Sequence, residues 1–366
     1  MTDYEFWLDD NLGYRLMSIE AVAKCDISKL PRGIGYAVLK IPGHYTPLRV
    51  DQIFECWRAG DDLKMVPEAI AFIRRVVYET DSDGRETTTL AGPGVKDLLR
   101  RRIVAAYAQS AGARKTDNAD NMAKDIVRES MGAGAIAARD LTAAGLAVQS
   151  HLSLAPTVQQ SFAWRNVWSA LTEIANSSAT AGTPLYYDIE PIVTADNRLT
   201  FEFRTYINQR GRDRRSGEWI ILAPEFGTLE NPRLIYDYEN EANYIYSGGA
   251  GDADSRVVRE LYDSARIGTS PWNRQERFFD SRQEEQDVNA IDDRGEAELR
   301  DARPRVKFSA LVRDRAGCRY GSEWGYGDRI PVSYAGLDFD CEIAAVTIEL
   351  DENGDEKITG VLEAEL

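Results

Sequence analysis

The sequence contains few of the residues on which metal, disulfide and histidine chemistry depend. Its four cysteines are scattered singly, with no Cys-x-x-Cys pair and no neighbouring histidine, so they indicate neither a zinc site nor a disulfide framework. Only His44 and His151 are present, which leaves little material for histidine-based acid–base or triad catalysis. We expect both histidines to be ordinary surface or interface residues, and we predict no cofactor and no metal.

Positive charge and long apolar runs are also scarce. The 366 residues include 44 lysines and arginines against 60 aspartates and glutamates, which gives a formal net charge of −16. A surface this acidic repels phosphate backbones, so sequence-independent nucleic-acid binding is disfavoured. No sequence-specific nucleic-acid partner is predicted either. No stretch approaches the roughly 18 consecutive apolar residues of a membrane-spanning helix, and the first five residues are acidic where a secretory leader would be basic. We therefore expect a soluble protein made in the cytoplasm, without a membrane anchor.

Lysine is rare even among the basic residues. Only nine of the 44 are lysine, and none lies between Lys124 and Lys307. The planar guanidinium of arginine suits fixed carboxylate pairs at interfaces, so this bias fits a protein with extensive subunit contacts. Codon bias in a GC-rich genome explains it equally well.

Hydrophobic residues make up 43% of the chain, which is enough to bury a core, and the length suits two or three domains. Residues 1–90 are predicted to form a β-rich domain, because residues 35–41 and 49–57 alternate as half-buried strands do. Asp83-Gly84, between two β-prone runs, indicates a hairpin.

Residues 91–182 form the predicted helical region. Apolar residues recur at helical spacing in residues 95–108, 117–131 and 157–175. The last of these segments carries a tryptophan-rich stripe, which is most simply core packing against the β domains.

Residues 183–366 return to the strand pattern and form the predicted C-terminal β-rich domain. Residues 185–194 and 198–206 predict one hairpin, and Asn353-Gly354 predicts another. Between them, the polar segment near residues 280–302 predicts an acidic surface helix that is interrupted or relaxed near Gly295. The order β, α, β lacks the strand–helix alternation of a doubly wound sheet, so the predicted fold class is α+β.

Two charged segments supply the candidate functional residues. Residues 209–215 form a basic loop in an acidic protein, which could bind an anion or the acidic surface of a neighbouring subunit, although a solvated loop tip is an equal alternative. The acidic segment near residues 280–302 is the complementary candidate. The predicted assembly-interface residues are Arg210, Arg212, Asp213, Arg214, Arg215, Glu284, Glu285, Asp292 and Asp293.

Several short motifs occur in a fixed order along the chain. They are Gly92-Pro-Gly94, Asp97-Leu-Leu and Arg101-Arg102-Ile103, then Ala119-Asp120-x-Met122, Gly211-x-Asp213-Arg214, the strand and glycine turn of residues 244–251, and Trp324-x-x-Gly327-Asp328-Arg329-Ile330-Pro-Val332. With these motifs in this order, the chain resembles the siphophage virus-type tail proteins, the tail-tip or baseplate hub family that caps the tail tube.

The resemblance implies β-barrel-type tail-hub domains flanking a central helical region, in a ring that is typically a homotrimer. It implies partners in the tail tube or distal tail protein, the tape-measure protein, and distal fibre or spike proteins. It places the protein at the phage tail tip of the virion, after assembly in the host cytoplasm, around a channel through which DNA passes. It carries over no catalytic residue, so the expected protein is structural and not an enzyme.

Two alternatives from other functional classes stay open. One is a tail-associated cell-wall hydrolase that uses carboxylates, although carboxylate pairs arise by chance among 60 acids. The other is a carbohydrate-binding adhesin that uses the aromatic side chains of Tyr244, Tyr246, Trp324 and Tyr326. Burial of these four side chains would count against the adhesin.

Overall fold

A computed structural model gives the fold and describes residues 4–45, 48–60, 64–105, 113–215, 220–251, 256–280 and 287–365. Within these ranges the strands are β1 Tyr4–Asp9, β2 Arg15–Ser18, β3 Lys24–Lys29, β4 Tyr36–Pro42, β5 Ile53–Ala59, β6 Met65–Phe72, β7 Arg75–Thr80, β8 Glu86–Pro93, β9 Ala113–Asn118, β10 Leu146–Val148, β11 Thr157–Phe162, β12 Leu185–Val193, β13 Leu199–Ile207, β14 Glu230–Asp237, β15 Tyr244–Gly248, β16 Val258–Tyr262, β17 Glu276–Asp280, β18 Arg305–Arg313, β19 Arg329–Tyr334, β20 Leu337–Leu350 and β21 Glu356–Glu365. The helices are α1 Asp97–Arg100, α2 Ala119–Met131, α3 Val167–Thr180, α4 Ser264–Ile267 and α5 Val288–Asp301, together with a 3-10 turn at Pro224–Phe226. Each of these helices is too short to span a bilayer.

The chain divides into two compact units. Unit 1 comprises residues 1–232 and 310–363, and unit 2 comprises residues 233–309 and 364–366. Strands β14 and β18 contain the positions at which the chain leaves and re-enters unit 1.

The largest sheet joins the two ends of the chain. In the described residues its strands follow the order β14-β18-β21-β20-β3-β4-β8-β7, and β19 also pairs with β20. Strand β3 is antiparallel to both β20 and β4, with Ile27 opposite Ile348 on one side and Ala37 on the other. Alternation explains why these segments are strands, since Ala37, Leu39 and Ile41 of β4 are buried in turn. A second sheet of unit 1, in the order β2-β1-β5-β6, contributes the buried Phe6, Leu8, Phe54 and Cys56.

The segment between residues 91 and 182 mixes helices with strands. Helices α2 and α3 pack on each other and on β12 and β13 around a core that includes Met122, Ile126, Val167, Leu171, Ile174 and Phe203. Helix α2 lies where the periodicity of residues 117–131 predicts a helix. Strands β9 and β11 form a separate antiparallel pair in the same segment.

Two predicted helices differ from the structure. Within residues 95–105, the described part of the helix predicted for residues 95–108, only one helical turn, α1, forms. The chain then becomes extended, and the N–H of Val104 donates to the carbonyl of Arg165. The predicted helix of residues 157–175 begins instead as strand β11. Helix α3 starts only at Val167, where the Asn166 side chain accepts the N–H of Trp168 and caps the helix.

The predicted fold class holds only in part. The structure is mostly β, with 47% of the described residues in strands and 16% in helices. No sheet of the described residues closes into a barrel, so the predicted β-barrel-type domains are not found there, and the predicted central helical region mixes helices with strands. Hydrophobic alternation identifies strands but not their partners, and closure depends on the partners.

Unit 2 contains the predicted acidic helix. Helix α5 packs on a three-stranded sheet of order β16-β15-β17, and the Asp287 side chain caps it by accepting the N–H of Asn289. The helix runs without interruption through Gly295. A Cβ atom there would lie 3.0 Å from the Cβ of Ser247 and 2.4 Å from Leu261 Cδ1. Glycine thus allows close packing at this point and does not break the helix, contrary to the sequence-based prediction.

Candidate functional site

The predicted basic loop of residues 209–215 is called the arginine loop. Its Arg210 bonds to Asp188 and Glu190, and we call this set of contacts the internal clamp. Arg210 follows β13, and its Nε donates to Asp188 Oδ2 at 2.9 Å while Nη2 donates to Glu190 Oε1. Its guanidinium lies over the rings of Tyr206, at 4.4 Å, and Tyr326, at 5.2 Å. Arg210 is largely buried by these contacts and joins β12, β13 and the segment before β19 within unit 1.

Arg214 is the second internal arginine of the loop. It is 2% exposed, and its Nε donates to Asp328 Oδ2 while Nη1 donates to the carbonyl of Ser322. Asp328 also accepts the backbone N–H of Arg212 at 2.6 Å. A charge pair this deeply buried fixes the loop against the segment before β19.

Two glycines allow this close approach. A Cβ on Gly211 would lie 2.4 Å from Asp328 Oδ1, and one on Gly327 would lie 2.7 Å from the Cβ of Arg210. Gly327 also has a φ of +71°, which other residues rarely adopt. The motifs Gly211-x-Asp213-Arg214 and Gly327-Asp328 are therefore two halves of one interlocking contact.

The remaining charged residues of the loop face solvent. Arg212 and Arg215 are exposed, and Arg215 donates to Asp213 through Nε at 2.7 Å. The Arg215 guanidinium lowers the pKa of Asp213 to about 2. Arg215 Nη1 also lies 3.5 Å from Asp340 Oδ2. Of the four predicted arginines, only Arg212 and Arg215 thus present their side chains outward.

The acidic candidates belong to unit 2. Asp292 on α5 is ion-paired with Arg259 on β16 at 2.8 Å, and Asp293 is exposed. Glu284 and Glu285 lie outside the described residues. The arginine loop and α5 lie in different units, each of which is internally compact.

Sequence reasoning missed a buried lysine beside the clamp. Lys96 Nζ donates to the carbonyls of Leu30, at 2.8 Å, and Pro31, at 3.2 Å, and lies 3.8 Å from Asp188 Oδ1. Burial, together with the Arg210 charge, lowers the pKa of Lys96 despite the nearby Asp188 carboxylate. The helical periodicity did not single out Lys96, because nothing local in the sequence shows that Leu30 and Asp188 lie next to it.

A small cavity of about 140 Å³ lies beside Lys96 and Arg210 in unit 1. Lys29 on its wall is ion-paired with Glu68 at 2.7 Å, and the Tyr320 hydroxyl donates to the same carboxylate at 2.9 Å. The charges around the cavity are engaged with one another, as Asp188 and Glu190 are with Arg210. This arrangement joins strands of unit 1.

The other residues singled out in the sequence have structural surroundings. The four cysteines are buried as free thiols, and the described residues hold no cluster of histidine, cysteine and acidic side chains arranged for a metal. His151 lies on the surface, 2.8 Å from Asp125, and His44 lies edge-on to Tyr78. Trp324 is fully buried and Tyr244 is 7% exposed, so the four aromatic residues considered for an adhesin do not form one exposed platform.

Comparison with solved structures identifies the class of fold. The chain is similar to the 43 kDa tail protein of prophage MuSo2 from Shewanella oneidensis, with a TM-score of 0.59 and 11% identity over 98% of each chain. It is similar to the tail protein from Neisseria meningitidis MC58, with a TM-score of 0.53 and 15% identity over 99% of this chain and 96% of that one. A lidless PdpA-VgrG complex contains a chain with a TM-score of 0.50 and 11% identity, over 99% of this chain and 65% of that one. The fold is therefore that of phage tail proteins.

The family follows from the sequence itself. The family model of Siphovirus ReqiPepy6 Gp37-like proteins matches residues 66–361. The chain belongs to this family, and the resemblance to siphophage tail proteins noted in the sequence is confirmed. A search of curated protein sequences finds no match.

Proposed function

We propose that this protein is a structural subunit of a phage tail, a tail-tip or baseplate hub that forms a three-membered ring at the end of the tail tube. The observation that carries the proposal is the tail-protein fold over 98% of both chains, together with membership of a siphovirus family. The ring is placed between the tail tube or distal tail protein on one side and fibre or spike proteins on the other. The tape-measure protein and the DNA occupy its channel.

The use of charge in unit 1 supports a structural role. Arg58 donates to both carboxylate oxygens of Glu356 at 3.1 Å, and the Tyr4 hydroxyl donates to the same carboxylate at 2.6 Å. These contacts join strands from the two ends of the chain, as the Arg214–Asp328 pair joins two loops. Such pairs fix geometry, which a ring subunit needs in order to fit its neighbours, and they are not arranged for catalysis.

The exposed charges supply the proposed subunit contacts. Arg212 and Arg215 are the outward arginines of the loop, and Asp293 is one of the exposed acids of α5. Arginine–carboxylate pairs between copies would use these groups without disturbing the internal clamp. The net charge of −16 also supports an acidic channel, because DNA would not adhere to it.

The experiment is the solution mass of the purified protein by light scattering at low and high salt. We expect a particle of three times 41.0 kDa that dissociates as salt screens the exposed pairs. The double variant Arg212→Glu with Arg215→Glu should be monomeric at low salt. Arg75→Glu, an exposed arginine on β7, is the matched control and should leave the trimer intact.

Two outcomes contradict the proposal. A monomer at every salt concentration for the wild-type protein would remove the self-assembled ring. Clearing of purified peptidoglycan by the wild-type protein would show an enzyme, and the structural assignment would then fail.

A further inference from the structure

One face of the three-stranded sheet in unit 2 has no covering element among the described residues. On the central strand β15, Ile245 is fully buried and the Ser247 hydroxyl donates to the carbonyl of Ile291 at 3.0 Å, so these two residues face α5. The alternate residues, Tyr244 and Tyr246, face the other way. A sheet with one solvated face normally places small or charged polar residues there, and this one places aromatic rings.

The neighbouring strands extend the aromatic surface. Tyr262 on β16 pairs with Tyr244, and Phe278 on β17 pairs with Tyr246. The rings of Tyr244 and Tyr262 are stacked at 5.2 Å with 7° between their planes. Tyr262 is 57% exposed and Phe278 is 52% exposed, whereas Tyr244 is 7% exposed beneath the Arg274 guanidinium. We call Tyr244, Tyr246, Tyr262 and Phe278 the aromatic face.

Hydrogen-bonding groups lie directly on the aromatic face. The Arg274 guanidinium lies 3.8 Å from the ring centroid of Tyr244, with Nε donating to Glu276 Oε1 at 2.5 Å and Nη2 to the Tyr246 hydroxyl at 3.4 Å. The Tyr244 hydroxyl donates to Glu260. A guanidinium has five N–H donors and a carboxylate has two acceptor oxygens, so these contacts use only part of their capacity.

Two carboxylates on this face, Glu276 and Asp280, are paired with arginines, whereas Glu260 accepts only the Tyr244 hydroxyl among the described residues. Arg274 is paired with Glu276, and Arg256, which lies over the Phe278 ring at 4.9 Å, is paired with Asp280. A strongly charged partner would need unpaired charges of the opposite sign. The one excess carboxylate, Glu260, disfavours an anionic partner, and the face otherwise offers ring surfaces next to paired donors and acceptors.

We propose that the aromatic face of unit 2 binds a neutral oligosaccharide made of hexose or N-acetylhexosamine units. A sugar ring presents C–H groups on its flat sides and hydroxyl groups around its rim. The exposed rings of Tyr262 and Phe278 cover the flat sides, while Arg274 donates to hydroxyl oxygens and Glu260 and Glu276 accept from hydroxyl groups. This function is additional to assembly of a ring and does not depend on it. Of the aromatic residues considered from sequence, only Tyr244 and Tyr246 belong to the face.

The test uses the full-length protein on an array of neutral oligosaccharides of hexose and N-acetylhexosamine units, followed by calorimetric titration of the sugar that binds best. The double variant Tyr262→Ala with Phe278→Ala removes the two most exposed rings of the face. We expect it to weaken binding by about tenfold or more. The matched control is Tyr238→Ala, which removes a tyrosine that is 59% exposed and lies outside the three-stranded sheet. It should bind like the wild-type protein.

Light scattering on the same samples separates this inference from the hub proposal. We expect the double variant to keep the mass of the wild-type protein. The inference is overturned if no sugar on the array binds the wild-type protein, or if the double variant binds as tightly as the wild type. It is also overturned if the double variant changes the oligomeric mass, because the face would then be a protein interface. The first two results, no sugar binding and unchanged binding by the double variant, would leave the proposed three-membered ring unaffected.

Discussion

The two units of the molecule are stabilised in different ways. Unit 1 has an extensive buried apolar core and buried ion pairs between residues far apart in sequence, such as Arg58–Glu356 and Arg214–Asp328. Unit 2 has a small core formed by Ala242, Ile245 and Ala302, with Phe279 and Leu299 packed against it. Its ion pairs, such as Arg259–Asp292, are more exposed.

This difference suggests different roles for the two units, a rigid scaffold for unit 1 and a binding module for unit 2. A domain that buries little apolar area gains little stability, because the hydrophobic contribution scales with buried area. Unit 2 nevertheless leaves Tyr262 and Phe278 more than half exposed on one sheet face, although burying them would have enlarged its core. Unit 1 therefore fits the role of a scaffold and unit 2 that of a binding module, and the following substitutions test this division.

The largest effect is expected from Arg214→Ala in unit 1. It leaves the Asp328 carboxylate buried without its ion partner, which typically costs about 3–5 kcal/mol of unfolding free energy. Denaturant unfolding followed by circular dichroism measures this loss. Arg75→Ala, at an exposed position of the same unit, is the control and should change stability by less than about 0.5 kcal/mol. A loss for Arg214→Ala as small as that of the control would contradict the scaffold role of the pair.

The next effect concerns pH and the buried carboxyl group of Asp9 in unit 1. Asp9 is 0% exposed, and its carboxylate oxygens have no donor among the described residues. Burial, followed by the neighbouring Glu55 carboxylate, raises the pKa of Asp9 to about 9. The folded protein thus keeps a proton that the unfolded chain releases above about pH 4. Stability should therefore fall as pH rises towards 9, by up to about 1.4 kcal/mol per pH unit.

Asp9→Asn should abolish this dependence, because an amide has no proton to lose. The measurement is the difference in unfolding free energy between pH 5 and pH 8, for the variant and for the wild type. Asp83→Asn, in the exposed hairpin between β7 and β8, is the control and should behave like the wild type. An equal pH dependence in Asp9→Asn and wild type would show that Asp9 is not the responsible group.

A smaller effect is expected in unit 2 from Gly295→Ala. Alanine favours the helix by about 1 kcal/mol, but its Cβ would crowd Ser247 on the central strand, and overpacking costs about 1–3 kcal/mol. The net loss should appear as faster amide hydrogen exchange in unit 2 with unchanged exchange in unit 1. Glu296→Ala, at an exposed position of the same helix, should leave both unchanged. Slower exchange in Gly295→Ala would show that the alanine methyl group fits between the helix and Ser247 without overpacking.

The same glycine illustrates what the sequence could and could not predict. Local periodicity correctly placed α2 and the acidic helix α5, because an amphipathic stripe is a property of a short segment. It could not show that Gly295 meets Ser247, since that contact depends on how two distant segments pack. The helix predicted near Val167 failed at its start for a related reason, because strand pairing with β9 overrode the helical spacing of residues 157–162.

The candidate site shows the same limit. The sequence identified Arg210 and Arg214 as members of a basic loop, and the motifs around Gly211 and Gly327 as significant. It did not show that these motifs interlock, or that Lys96 lies beside them, because all three come from separate parts of unit 1. The sequence also could not show that Arg212 is exposed while Arg214 is buried, because both are arginines of the same short loop.

The smallest expected effect is the coupling between Arg259 and Asp292 in unit 2. Both side chains are partly exposed, so a double-mutant cycle with Arg259→Ala and Asp292→Ala should give a small coupling that decreases with added salt. The same cycle on Arg214 and Asp328 should give a larger coupling that salt hardly changes, because water and ions do not reach that pair. Equal couplings with equal salt dependence would remove the electrostatic contrast between the units. The division into scaffold and binding module would then rest on the apolar cores alone.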